Sequence, residues 1–119
     1  MASVRVFVSD VKKATAFYTK ALGFEVAESW GPAISILAKG DLTLWVSGPK
    51  TSAAKAWEDG TKPEPGGFTR IVLPLEDWEN LQAKILEFGG RIANGPLEGP
   101  GGTQIVVQDP DGNCIEFFS

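Results

Sequence analysis

The chain repeats itself. Setting Asp10 against Asp77 superposes Gly23 on Gly90 at one shared offset, and the offset carries a strand, a helix cap, an apolar stripe and a glycine stop into the second half. That is the signature of a duplicated supersecondary unit. In the first copy, Ser3 to Ser9 alternates Val4, Val6 and Val8, as a strand with one buried face does, and Asp10 stands where a helix N-cap belongs. Val11, Ala14, Phe17, Tyr18, Ala21 and Leu22 keep an apolar stripe through a helix over Asp10 to Leu22, which Gly23 ends. Short strands follow at Phe24 to Ser29, Ala33 to Ala38 and Leu42 to Val46, separated by the turn formers Trp30-Gly31-Pro32 and Lys39-Gly40-Asp41.

In the second copy, Phe68 to Leu75 reads as a strand. Asp77 caps a helix whose Trp78, Leu81, Ile85 and Phe88 share a face, and Gly89-Gly90 closes it. Further strands fall at Arg91 to Ala93, Thr103 to Gln108 and Cys114 to Phe118, and Gly95 to Gly102 reads either as a mobile flap or as a plain surface loop. The fold class is therefore α+β, with two tandem βαβββ modules: module one over residues 1–47, a linker over 48–67 and module two over 68–119. Gly, Pro, Ser, Thr and Lys dominate the linker, although Ser52 to Asp59 has the makings of a short helix exposing Trp57.

Composition narrows the function. A chain of 119 residues with 43% hydrophobic and 22% charged residues is sized for one soluble domain with its own core. Its net charge of −4, with no basic run, argues against nucleic acid or an anionic membrane as partner. No apolar run approaches the length of a membrane span, no secretory signal is legible, and the lone Cys114 fits a reducing compartment, so the cytoplasm is expected. There is no histidine, which removes histidine-based metal ligation and acid–base chemistry. Cys114, with no base to activate it, reads as a small half-buried hydrophobe.

Two segments, Val8-Ser9-Asp10 running into Ala16-Phe17-Tyr18 and Ala21-Leu22-Gly23-Phe24, and Asp109-Pro110-Asp111-Gly112-Asn113 followed by Ile115-Glu116-Phe117, resemble the vicinal oxygen chelate superfamily. Its members include glyoxalase I, extradiol dioxygenases and bleomycin-binding proteins. The resemblance implies a curved mixed sheet around a cavity, lined in metal-using members by two ligands from each module. Transferred by position, those ligands land on Ser3, near Leu44, on Arg70 and on Glu116, with Thr43 and Trp45 no better than Leu44. Only Glu116 is a metal donor of the usual kind, and Arg70 puts a permanent cation where another should stand, so neither a metal nor another cofactor is expected.

The alternation of a strand places Arg5 and Phe7 with Ser3, Val72 with Arg70, and Cys114 and Phe118 with Glu116. An Arg70–Glu116 ion pair is expected to fill the space of a metal, against the alternative that both side chains reach water. Trp30, Trp45 and Trp57 are candidate aromatic contacts and Trp78 a core residue. Asp41 to Ser47 and Gly112-Asn113-Cys114 are similar to the bleomycin-resistance type, which implies a homodimer sequestering an aromatic or cationic antibiotic without metal. Arg5, Phe7, Trp30, Leu44, Trp45, Trp57, Arg70 and Glu116 are then the candidate ligand-binding residues. The alternative is a metal-free lyase or isomerase with Glu116 as its base.

Overall fold

The computed structural model describes residues 2–119. Module one runs β1 (Ser3–Phe7), α1 (Val11–Ala16), β2 (Glu25–Trp30), β3 (Ile34–Lys39) and β4 (Leu42–Ser47); module two runs β5 (Arg70–Pro74), α2 (Trp78–Glu87), β6 (Arg91–Gly99), β7 (Gly102–Gln108) and β8 (Cys114–Phe118). Each module forms its own four-stranded mixed sheet, in the orders β1-β4-β3-β2 and β5-β8-β7-β6. The first strand of each lies parallel to the last and the other pairings are antiparallel. A parallel β1–β4 pair needs a crossover, and the helix with β2 and β3 supplies it.

The helices cover one face of each sheet. Asp10 caps α1 by accepting from Lys13 N–H at 3.1 Å, and the helix continues as a π turn over Phe17–Ala21. Neighbouring residues on a helix point about 100° apart, yet Phe17 and Tyr18 are both fully buried. This segment is therefore packed on two sides: against Leu37, Leu44 and Val46 of its own sheet, and against module two. Gly90 shows how close the second contact is. A β-carbon there would overlap Phe17 Cε1 and stand 2.7 Å from Gln108 O. Gly89, rather than Gly90, takes the left-handed conformation that ends α2, so the superposition of Gly23 on Gly90 matches a conformational requirement with a packing one.

One apolar cluster draws on both modules, with Leu73, Ile85, Ile105, Val107, Ile115 and Phe117 joining the residues around α1. Each such side chain contributes about 1.5–3 kcal/mol when fully buried. The modules are locked at one corner by polar contacts. Asn113 Nδ2 donates to Phe7 O at 2.9 Å on the free edge of β1, and Ser9 donates through N and Oγ to Asp111 at 3.1 and 2.7 Å.

Several boundaries differ from expectation. β5 begins at Arg70, and Phe68 is exposed, because the linker continues to Thr69. Of the helix expected over Ser52 to Asp59 only a 3-10 turn, Ser52–Ala54, forms. Asp77 stands at the N-cap of α2 with φ 45°, but its side chain makes no capping bond; only its carbonyl accepts, from Leu81 N–H. The segment Gly95 to Gly102 is largely strand: β6 and β7 pair to the tip of a bulged hairpin, which supplies the backbone bonds a loose flap would lack.

Candidate functional site

Side chains alternate across strands, so Val4, Val6, Leu44 and Val46, which face the helices, leave Ser3, Arg5, Phe7, Thr43, Trp45 and Ser47 on the opposite, helix-free face. The register sets them in rows. Arg5, Trp45, Ile36 and Glu28 form one, and Phe7, Ser47, Ile34 and Trp30 the next. The Arg5 guanidinium lies over the Trp45 ring, 5.0 Å from its centroid, and donates to Ser47 Oγ at 3.3 Å. Cation–π contacts of this kind contribute about 0.5–1 kcal/mol at exposed sites and more when desolvated. Trp30 stays 64% exposed at the rim, its indole N–H donating to Glu28 Oε2 at 3.3 Å.

Module two presents Arg70, Val72, Cys114, Glu116, Phe118 and Gln104 on its corresponding face. The expected ion pair is there: Arg70 donates to Glu116 Oε1 at 2.9 Å and to Gln104 Oε1 at 3.4 Å. With side-chain exposures of 37% and 14%, the pair is partly screened by water and contributes about 0–1 kcal/mol. It therefore acts mainly to orient both groups.

Leu44 must be corrected. It is 0% exposed in the core between sheet and helix, out of reach of any ligand on the other face. The repeat explains the slip. Glu116 is the β8 partner of Val72, the same offset carries Val72 back to Arg5, and the β4 partner of Arg5 is Trp45. Trp45 is thus the counterpart of Glu116, and a displacement of one residue along a strand changes its face. Trp57 is not brought to the others: it is exposed in the linker, and its backbone hydrogen bonds, to Thr61 and Gly60, stay there. Glu28, Ile36, Ser47 and Gln104 went unnoticed in the sequence because only the strand register reveals that they share these faces.

The linker packs over the corner where the modules meet. Gly66 N–H donates to Asn113 Oδ1 at 2.8 Å, and Cys114, buried, donates its thiol to Gly67 O at 3.4 Å. A cavity of about 220 Å³ lies beneath it, bordered by Arg5, Phe7, Glu64, Thr69, Ile71 and Cys114. Another, of about 230 Å³, lies beside Phe7 and Ser47 under Lys62, Pro63 and Pro65. Arg5 and Phe7 thus stand between the open face of β4 and the junction with module two.

The positions that would hold a metal in this architecture carry a hydroxyl at Ser3, an indole at Trp45, a guanidinium at Arg70 and a carboxylate at Glu116 already bound to that guanidinium. Ser3 Oγ is hydrogen-bonded to Thr43 Oγ1. A first-row metal needs several N, O or S donors, and this set does not fit one. Among the described residues no group of three or more Cys, Asp or Glu side chains is arranged to bind a metal, and no helix is long and apolar enough to cross a membrane.

The fold itself has known relatives. The Glyoxalase/Bleomycin resistance protein/Dioxygenase superfamily model matches residues 1–117, and the chain belongs to that family. It is 26% identical to "Virulence protein STM3117" of Salmonella typhimurium over 92% of this chain and 76% of that protein. Among solved structures it superposes on a glyoxalase/bleomycin resistance protein/dioxygenase family enzyme from Burkholderia phytofirmans PsJN with TM-score 0.79, at 20% identity, over 98% of this chain and 94% of that one. The hypothetical protein SA1046 from S. aureus gives 0.75 at 23% identity, over 99% and 91%. Likenesses this distant carry the fold.

Proposed function

We propose that this chain is a metal-independent binding protein for a small aromatic molecule bearing both cationic and acceptor groups. In this reading it works in the cytoplasm as a homodimer, in the manner of bleomycin-resistance proteins, by holding an antibiotic away from its target. The observation that carries the reading is the pairing of Arg5 with Trp45 on the open face, opposite in the repeat to Arg70 with Glu116. A flat ligand can stack on the indole, its acceptors can meet the guanidinium groups, and its cations can meet Glu28 and Glu116. Catalysis with Glu116 as base is less well supported, since Arg70 already occupies one of the lone pairs that a base would offer.

The test titrates intrinsic Trp fluorescence with bleomycin and a panel of aromatic cationic antibiotics, in parallel with zinc, manganese and nickel. Saturable quenching by a member of the panel, weakened in Trp45→Ala, with the compound recovered unchanged, is the expected result. Thermal stability unaffected by the metals completes it, because a ligand of the native state raises the melting temperature by mass action. Chemical conversion of a bound compound, or stabilisation by a metal that Glu116→Gln abolishes, would overturn the proposal.

A further inference from the structure

On the opposite side of module one's sheet lies a larger cavity, about 570 Å³, at the open end of the sandwich between α1 and the β2–β3 hairpin. Its size is that of a pocket for a small organic molecule, and none of the candidate ligand-binding residues lines it. Its chemistry has three parts. Val11, Pro32 and Pro49 give it an apolar wall. Ser35 and Thr15 both line it: Ser35 has only 5% of its surface exposed, and Thr15 Oγ1 is a buried side-chain oxygen with no hydrogen-bond partner. Lys12 and Lys50 border it, both exposed, and among the described residues neither forms an ion pair.

We infer that this cavity is a binding site for a small hydroxylated carboxylate, distinct from the site of the proposed function. The body of the ligand lies on the valine and the prolines, its carboxylate meets the two ammonium groups, and its hydroxyl reaches the Thr15 and Ser35 hydroxyls. An unpartnered buried hydroxyl is unfavourable until something satisfies it, and a turn of the Thr15 side chain that brings its hydroxyl to the cavity surface, where a ligand hydroxyl meets it, does so. The positive charge comes from the lysine side chains and not from the helix end, where the Lys13 N–H is already taken by Asp10. Asp10 also borders the cavity and offsets part of that charge, which favours a monoanion with a hydroxyl beside its carboxylate over a multiply charged phosphate.

Salicylate, with neutral salicylamide as its control, tests the assignment by amide chemical shifts of the ¹⁵N-labelled protein. Salicylate is expected to shift the amides of Lys12, Thr15, Ser29, Gly31, Ser35 and Lys50 saturably, and salicylamide to bind about tenfold more weakly or worse for want of charge-assisted contacts. The double variant Lys12→Ala/Lys50→Ala, altered only at exposed positions, should lose salicylate affinity by a similar factor. Thr15→Val should also weaken binding while leaving the protein as stable as before or more so, since it removes a hydroxyl that has no partner. Equal affinity for the neutral amide, unchanged affinity in the double variant, shifts centred instead on Arg5 and Trp45, or no saturable shift would each overturn the inference.

Discussion

Asp109 and Tyr18 join the two modules across the core, and their coupling can be measured. Asp109 is buried and accepts four hydrogen bonds: from the Tyr18 hydroxyl at 2.7 Å, from the backbone N–H groups of Asp111 and Asn113 at 2.9 Å each, and from Asn113 Nδ2 at 2.9 Å. Tyr18→Phe removes one bond to a charged acceptor, about 1.5–3 kcal/mol, and leaves the other three in place. Asp109→Ala strands the tyrosine hydroxyl and the amide groups together, so about 3–5 kcal/mol is expected, within the range for breaking a buried polar network. In the double variant the two losses should fall short of their sum by about 1.5–2 kcal/mol, because the shared bond is counted twice. Urea denaturation followed by Trp fluorescence gives all four corners, with an unchanged m-value as the sign that the unfolded state is the same.

A second axis comes from pH. Burial, then the neighbouring Asp109 charge and its hydrogen bond, raise the Tyr18 pKa well above 10.0. The native state therefore holds its proton where the unfolded state releases it. Stability from this group is complete below the unfolded pKa and falls as pH rises from there toward the folded value. Tyr18 is the chain's single tyrosine, so tyrosinate absorbance reports it without ambiguity and should appear together with unfolding. A coupling energy below about 0.5 kcal/mol, or reversible ionisation of Tyr18 in the folded protein near its ordinary pKa, would refute the description of this contact as a joint between modules.

Two further outcomes follow from the same packing. Leu44→Ala should cost about 2–5 kcal/mol by opening a cavity in the core, whereas Thr43→Ala on the opposite face should stay within about 1 kcal/mol; thermal or urea melts that reverse this order would invert the assigned faces. Gly90→Ala should cost about 1–3 kcal/mol by pressing a methyl group into Phe17 and the Gln108 carbonyl, and pairing it with Phe17→Leu in the same melts should recover part of that loss.

The order of elements was legible because it rests on local signals: Val4, Val6 and Val8 alternate, Asp10 caps, and Gly23 takes positive φ where the helix must stop. The Arg70–Glu116 contact was legible too, since the family resemblance set both residues at ligand positions on the first and last strands of one module, which pair directly. What failed was register. Leu44 and Trp45 are adjacent, and nothing local says which of them meets β1 beside Arg5; the β1–β4 pairing decides it. The linker was misjudged at its far end for a related reason. Phe68 and Thr69 have strand-like composition, but β8 begins at Cys114, opposite Arg70, and offers the earlier residues no partner.

Duplication explains how one frame came to hold two different chemistries. The same offset that aligns the caps also aligns Ser3 with Arg70 and Arg5 with Val72, and the strand pairing then matches Trp45 with Glu116; in each of these pairs the side chains are of unlike type. Module one sets a guanidinium against an aromatic face; module two sets one against a carboxylate. An ion held between the modules would need donors from both, and each substitution on the module-one side removes one. A flat organic ligand makes the opposite demand, since it needs a stacking surface at one end and a polar, directional contact at the other. The unlike residues at matched positions meet that second demand, so the asymmetry of the repeat argues for the proposed organic ligand over an ion.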